Sequence, residues 1–334
     1  MPGPDPAVAA IRLAVRRQLR ILSDGEGGYW APDLGDSVVV ACSGGADSLA
    51  LLAATVFEVH KLPARVLGAV VDHGLQEGSA GHTARVVAQM AALGVDETAS
   101  IRVTVDPGPA GIEAGAREAR YAALSQLAER LGAGTVLLGH TLDDQAETVL
   151  LGLTRGSGGR SLQGMRGSFD GFARPLLGIR RAQTEAACRA EGIEWWEDPH
   201  NTDPRFTRSR IRHTVMPMLE RELGPGIAET LARTGHQLRD DMEAVELLAD
   251  ECYADLEVDG GLDPDDLLPL PHAVATRILR RLAIEAGAIP SELTYDHVRA
   301  LGALRNGKEV RLPGHLTAFL DRGILRFRPT PPMG

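Results

Sequence analysis

The chain has only three cysteines in 334 residues, Cys42, Cys188 and Cys252. They are odd in number and far apart, which excludes a disulfide framework and gives no cysteine-based metal pattern. A reducing, cytoplasmic setting fits, and Cys42 reads as a small buried residue. Aromatic residues make up 4% of the chain, so aliphatic side chains must build the core. Positive charge is in deficit: the net charge is −10, which excludes a uniformly basic surface but not local basic clusters. No apolar run approaches the roughly 20 residues that span a bilayer. The N-terminus lacks a signal-peptide apolar core, so no membrane partner is expected. Residues 6–22 place Val8, Ile11, Val15, Leu19 and Leu22 on one side of a helix, with Arg12, Arg16 and Arg20 on another. That pattern predicts a helix packed on a domain, with a membrane-surface or transit helix as the weaker alternative. No internal repeat and no low-complexity tract is visible.

Two common phosphate motifs are also missing. There is no G-x-x-x-x-G-K-[ST], and no G-x-G-x-x-G follows the first strand. Residues 38–48 instead read VVVACSGGADS. Val38–Ala41 is a buried-strand pattern, and helix-compatible residues resume at Leu49. Gly44 and Gly45 allow a sharp turn and a close ligand approach. Ser43, Asp47 and Ser48 suit a helix start. A strand, a glycine turn and a helix N-terminus together form a phosphate cradle. The alternative is a polar turn without a ligand. The SGGxDS string resembles the PP-loop of the ATP pyrophosphatase superfamily.

The length allows two domains. Strand-like runs at Val38–Ala41, Val66–Val71, Ile101–Val105 and Val136–Leu138 alternate with helical segments near 49–59, 80–93 and 112–131. The alternation predicts an α/β fold: a doubly wound, mainly parallel sheet with ligands beyond the carboxyl ends of its strands. Residues 154–178 and 196–206 read as loops. A long helix is expected over 227–256, then helices at 270–286 and 294–304. Short strands follow at Glu309–Leu312, His315–Phe319 and Ile324–Phe327. The expected organisation is a catalytic domain over 1–224, a linker helix over 225–257, a small α+β domain over 258–329 and a frayed tail over 330–334.

Four further groups carry chemistry. Asp72-His73 closes the second strand, where it would contact a base or ribose, or cap a turn. Arg117, Arg120 and Tyr121 share a helix face, to grip phosphate or carboxylate, or to form a solvated face. His140 and Asp144 are four apart, as are Asp143 and Glu147, on a helix starting near Thr141. Carboxylates there are favoured by the helix dipole and would hold magnesium, or serve as an elaborate cap. Finally, residues 155–181 contain six arginines against one acid, Asp170, and no acid occurs from 204 to 219. Gly-Arg loops of this kind suit an RNA backbone, or simply aid solubility.

In order, SGGADS, DHGL, EAGAREARY, GHTLDDQAET, RGSGGRSLQGM, RPLL and EDPHNTDPRFTRSRIRH cover residues 38–213. Together they closely resemble the bacterial tRNA(Ile)-lysidine synthetases, in the short form with one C-terminal domain. Asp72 departs from the His expected in many relatives. The resemblance implies adenylation of the wobble cytidine of tRNA(Ile) with a CAU anticodon, release of pyrophosphate, and attack by free L-lysine. It implies ATP and Mg2+ as cofactors. ATP would lie at Ser43, Gly44, Gly45, Ala46, Asp47, Ser48, Asp72, His73, Gly139 and His140. Asp47, Arg120, His140 and Asp144 would be catalytic, with the metal at Asp47 and Asp144. Lysine would meet Asp143 and Glu147. The tRNA would meet Arg155, Arg160, Arg174, Arg205, Arg208 and Arg212. Arg277, Arg280, Arg281, Lys308 and Arg311 would touch the acceptor stem or form a solvated face. The oligomeric state is left open, with a homodimer among the options.

Three rival readings fit the residues less well. A small-molecule PP-loop ligase would leave the Arg-Gly loops unexplained. A tRNA thiolase commonly uses paired cysteines, and no C-x-x-C is present. A binding module without turnover would have no need of the carboxylates.

Overall fold

A computed structural model describes residues 3–24, 36–72, 74, 78–104, 112–155, 159–198 and 202–330. The chain divides into two compact units, residues 1–236 and 237–334. The division falls inside one long helix rather than in a loop.

The first unit is built on a six-stranded sheet. In chain order come α1 (Pro6–Asp24), β1 (Ser37–Ala41), α2 (Ala46–Val59), β2 (Arg65–Asp72), α3 (Ser79–Ala92), β3 (Glu97–Arg102), α4 (Ile112–Leu131) and β4 (Thr135–Leu138). Then follow α5 (Leu142–Arg155), α6 (Gly159–Leu162), β5 (Ser168–Phe169), β6 (Phe172–Ala173) and α7 (Arg181–Glu191). The strand order is β3-β2-β1-β4-β6-β5, parallel except for the β5–β6 pair. β1 pairs with β2 from Ser37↔Arg65 to Ala41↔Ala69, and with β4 from Val38↔Thr135 to Ala41↔Leu138. The chain therefore winds outward one way from β1, then crosses back to β4. That reversal leaves a crevice beyond the carboxyl ends of β1 and β4, where open α/β sheets bind ligands.

Alternation along β1 feeds two cores. Val38 and Val40 join Leu49, Leu52, Val66, Val70 and Met90 on one face. Val39 joins Leu67, Leu124, Leu127, Val136 and Phe172 on the other. Each such side chain contributes roughly 1.5–3 kcal/mol on burial. Helix α1 buries the stripe expected of it, Val8, Ile11, Val15, Leu19 and Leu22. Its Arg16 donates two bonds, of 3.0 and 2.9 Å, to the buried carboxylate of Glu58. No described helix is long and apolar enough to cross a membrane.

The third strand differs from expectation. It lies at Glu97–Arg102, ahead of the anticipated 101–105. It is a half-exposed edge strand paired only to β2, so its residues need not be apolar and Ile101 alone stood out. The anticipated loop 154–178 contains α6 and the β5–β6 hairpin, and β6 extends the sheet beside β4. Two-residue strands are too short to show a period of two.

After α7, the chain runs through α8 (Thr207–Arg210), one turn of π-helix (Ile211–Val215), α9 (Met216–Leu223) and α10 (Ile227–Leu256). The start of α10 packs Ala228 and Ala232 on Leu142 and Ala146 of α5. In the second unit, α11 (His272–Glu285), α12 (Tyr295–Gly302) and the antiparallel strands β7 (Glu309–Leu312), β8 (Leu316–Asp321) and β9 (Ile324–Pro329) surround Leu262, Ile278, Leu282, Leu301 and Leu325. These elements match the small α+β domain expected from the sequence.

Candidate active site

The glycine turn leaves β1 and enters α2 at Ala46. Ser48 Oγ closes it, accepting from the Ser43 N–H at 3.2 Å and donating to the Gly45 carbonyl at 2.9 Å. Gly44 has φ +83°, and a Cβ there would lie 2.7 Å from Val86 and 2.9 Å from the His82 ring. The turn is also held from outside. The Trp196 N–H donates to the Gly44 carbonyl at 2.9 Å, His82 Nε2 lies 2.9 Å from the Ser43 carbonyl, and the His82 and Trp196 rings are 4.0 Å apart. The first-turn N–H groups of α2 have no partner within the helix, which leaves them available to a phosphate.

β4 delivers the second half. A Cβ on Gly139 would lie 3.1 Å from the backbone of both Asp47 and Ser48. Glycine therefore lets the two strand ends close up. His140 follows, then α5 with Asp143, Asp144 and Glu147. Thr141 caps this helix through Asp144: its N–H and hydroxyl reach Oδ2 at 2.8 and 3.0 Å. Gln145 turns the other way and exchanges hydrogen bonds with the Met165 backbone, docking the 163–165 segment on α5.

The site has two electrostatic halves. Around His140 lie Arg117, Arg120, Arg174 and Tyr121. Arg174 is only 5% exposed. It donates from Nε to His140 Nδ1 at 3.2 Å, to the Arg166 carbonyl at 2.6 Å and to the Tyr121 hydroxyl at 3.0 Å. Arg174 was expected on tRNA; in the structure its guanidinium is engaged by three internal acceptors, His140 among them. Burial, reinforced by Arg174 and Arg120, pushes the His140 pKa down to about 3, against the pull of Asp144. The ring is neutral at physiological pH. Burial lowers the Arg120 pKa, and its charged neighbours are Arg117, Arg208 and Arg174. Such a cluster suits an anion.

The other half is a carboxylate set threaded by arginines. Arg181, the first residue of α7, places Nη2 2.8 Å from Asp144 Oδ1, Nε 3.4 Å from Asp47 Oδ2 and Nη1 3.5 Å from Glu147 Oε1. Thr184 donates its hydroxyl to Asp47 Oδ1. Arg212 grips both oxygens of Glu147 at 2.7 and 3.0 Å and reaches Asp144 at 3.1 Å. Arg208 lies 3.2 Å from Glu147 and donates to the Thr148 hydroxyl at 2.8 Å. Arg208 and Arg212 were expected on tRNA; in the structure they neutralise Glu147, which is only 2% exposed. The π-turn carries Arg212 into this position, a placement such turns often have at functional sites. Burial raises the Asp47 pKa to about 6, only partly offset by Arg181 and Thr184. Burial also pushes Asp144 upward, but Arg181, the Thr141 N–H, His140 and Arg212 outweigh it and hold that carboxyl below its ordinary range.

Magnesium was expected at Asp47 and Asp144. All four of their oxygens already accept protein donors, and among the described residues no group of three or more His, Cys, Asp or Glu converges as a metal site. As arranged, this pair does not fit a cation that needs open oxygen ligands.

The remaining expectations divide. Asp143 accepts the Arg181 N–H at 2.7 Å and lies 3.4 Å from Arg180. Asp72 spends its carboxylate on the Gly74 N–H and on Arg102, which hold its pKa low. Arg205 is 83% exposed, paired with Asp203 at 2.6 Å. Arg160 lies on α6. His73, residues 156–158 and the side chain of Arg155 lie outside the described set. Sequence reasoning did not single out Thr184, His82 or Trp196, and it counted Arg181 only among the RNA-facing arginines.

Residues 19–219 match the family model described as a PP-loop domain. The chain is 50% identical over 321 residues to a protein of Thermobifida fusca, covering 94% of this chain and 95% of that one. It is 46% identical to one of Streptomyces coelicolor, covering 98% and 99%, and 48% identical to one of Salinispora arenicola, covering 98% of each. All three bear the name tRNA(Ile)-lysidine synthase. A U34-tRNA thiolase of Methanococcus maripaludis with a [4Fe-4S] cluster has a similar fold, with a TM-score of 0.55 at 16% identity over 69% of this chain and 80% of that one. That likeness extends to the fold alone.

Proposed function

The chain belongs to the tRNA(Ile)-lysidine synthase family of PP-loop, ATP-dependent ligases, and we propose the following division of labour for its reaction. The wobble cytidine of tRNA(Ile) with a CAU anticodon attacks ATP through its C2 oxygen. The new bond is O2–Pα, and the bond to the β-phosphate breaks, releasing pyrophosphate. The amine of free lysine then attacks C2, and AMP leaves. C2 is a poor electrophile until its oxygen becomes a leaving group, which is why the nucleotide is required.

The observation that carries this reading is the contact of Gly139 on the Asp47–Ser48 backbone. It sets the phosphate turn against the start of α5, so one ATP can meet both. The α2 N–H groups hold the pyrophosphate end. His140 presents a neutral Nε2–H, because Nδ1 is engaged by Arg174. With Arg120 it stabilises charge growing on the α-phosphate. Asp144 and Glu147 form the cation-seeking wall against which the lysine ammonium binds, and Asp143 holds the start of α7 beside it. Mg2+ is the expected companion of the ATP phosphates; the Asp47–Asp144 pair as arranged does not fit it, and no step is assigned to it. Arg205 and Arg160 supply tRNA contacts. The second unit reads the tRNA beyond the anticodon, since methionine tRNA shares that anticodon. Within it, Arg277 and Arg281 are paired with Glu246, Asp250 and Glu285, and Arg280 holds two carbonyls. These three therefore belong to the unit's own scaffold. A cytoplasmic location completes the proposal.

The test is incubation with ATP, magnesium, labelled lysine and tRNA(Ile) bearing CAU. Label should enter that tRNA, and should not when the target cytidine is replaced. A folded protein that leaves the tRNA unlabelled would sink the reading.

A further inference from the structure

We propose that Arg181 is an exchangeable counter-ion that makes lysine binding and nucleotide binding favour one another. The inference rests on the functional reading above and concerns the same crevice.

The charges explain why exchange is needed. Asp47, Asp144 and Glu147 face Arg181, Arg208 and Arg212, three carboxylates against three guanidiniums. The set is already neutral and mostly enclosed. An ammonium arriving at Asp144 and Glu147 brings a fourth positive charge into a region where charges interact strongly. It is accommodated if one guanidinium leaves or an anion arrives.

Arg181 is the arginine placed to leave. Arg212 holds Glu147 through two short bonds, while Arg208 lies 3.2 Å from Glu147 and is anchored by its bond to the Thr148 hydroxyl. Arg181 instead spreads over three carboxylates, with only one contact, to Asp144, below 3 Å. Its backbone is fixed by Asp143 at the N-terminus of α7, so only the side chain has to move. One of its partners, Asp47, lies in the first turn of α2, beside the phosphate cradle. A polyphosphate in that cradle therefore draws Arg181 toward itself. Asp144 and Glu147 are then left with unbalanced negative charge for the ammonium. Lysine arriving first releases Arg181 toward the phosphates. Each ligand prepares the site for the other, as thermodynamic reciprocity requires.

Arg181 thus acts as a positioning residue, and the readout is a coupling factor rather than a rate. L-lysine is titrated calorimetrically into the full chain, with and without α,β-methylene-ATP. The wild type should bind lysine at least about fivefold more tightly with the nucleotide. Arg181→Gln should bind lysine with nearly equal affinity in both conditions, and more tightly than the wild type when nucleotide is absent. Arg181→Lys should restore part of the coupling, and it gives the same reading if the Gln variant does not fold. Coupling that is absent in the wild type, or unchanged in Arg181→Gln, overturns the proposal while leaving the ligase reading intact. A wild type that binds no lysine in either condition overturns both.

Discussion

Arg174 Nε donates to His140 Nδ1 at 3.2 Å, which fixes the imidazole proton on Nε2. The ring that faces the crevice is therefore a neutral donor of known tautomer, held by a buried arginine. With its pKa pushed to about 3 by burial, His140 should not titrate between pH 5 and 9. Nitrogen NMR of the labelled imidazole measures this; a midpoint near the ordinary 6.5 would refute it. Arg174→Gln should cut kcat roughly 10- to 100-fold by freeing the ring, with tRNA affinity unchanged.

Asp47 gives a pH signature of the opposite sense. Its folded-state pKa, near 6, lies above the ordinary 3.8, so the native state holds this proton more tightly than the unfolded chain. Stability contributed by Asp47 is therefore present at low pH and lost as pH rises through about 6. Asp47→Asn should gain on the wild type by roughly 1–3 kcal/mol between pH 4 and 7, read from urea unfolding across that range. A constant difference would remove the buried-carboxyl account. In the assay, Asp47→Ala should abolish adenylation while tRNA binding persists.

Exposure separates the arginines that the sequence grouped together. Arg205→Gln should lower the salt slope of tRNA binding by about 1, because an exposed guanidinium displaces a phosphate counterion. Arg212→Gln should leave that slope alone and instead disturb lysine affinity, because its charge is spent on Glu147 and Asp144. Filter binding at several salt concentrations reads both; equal slopes for Arg205→Gln and wild type would take Arg205 out of the interface.

Backbone proximity at Gly139 gives a prediction independent of charge. Gly139→Ala puts a methyl group 3.1 Å from main-chain atoms of Asp47 and Ser48, which cannot rotate aside. Nucleotide affinity should fall at least tenfold, with a stability loss of about 1–3 kcal/mol. Gly178→Ala, where a Cβ meets nothing within 4 Å, is the control. Similar behaviour of the two variants would contradict the close approach.

What the sequence displayed was local. The strand, glycine turn and helix of 38–59 show themselves in a single window, and so do His140 and Asp144 with their spacing of four. The partners of those residues come from far along the chain. Thr184 and Arg181 lie 137 and 134 positions from Asp47, on a polar helix whose buried face carries only Thr184, Ala187 and Cys188. Arg208 and Arg212 were visible as charge, but charge does not say whether a side chain faces water or a buried carboxylate. Arg174 misled for the same reason. β3 was misplaced because an edge strand needs little apolar character, and β6 was missed because two residues carry no period.

The π-turn at Ile211–Val215 makes this stretch sensitive to length rather than to composition. One residue fewer there would restore ordinary helical winding and swing everything after it by about 100°. Met216–Leu223 would then leave the crevice on a different bearing, and Arg212 would lose its angular register with Arg208. Surface loops in such a chain tolerate insertions and deletions; this helical run, exposed as much of it is, should tolerate neither.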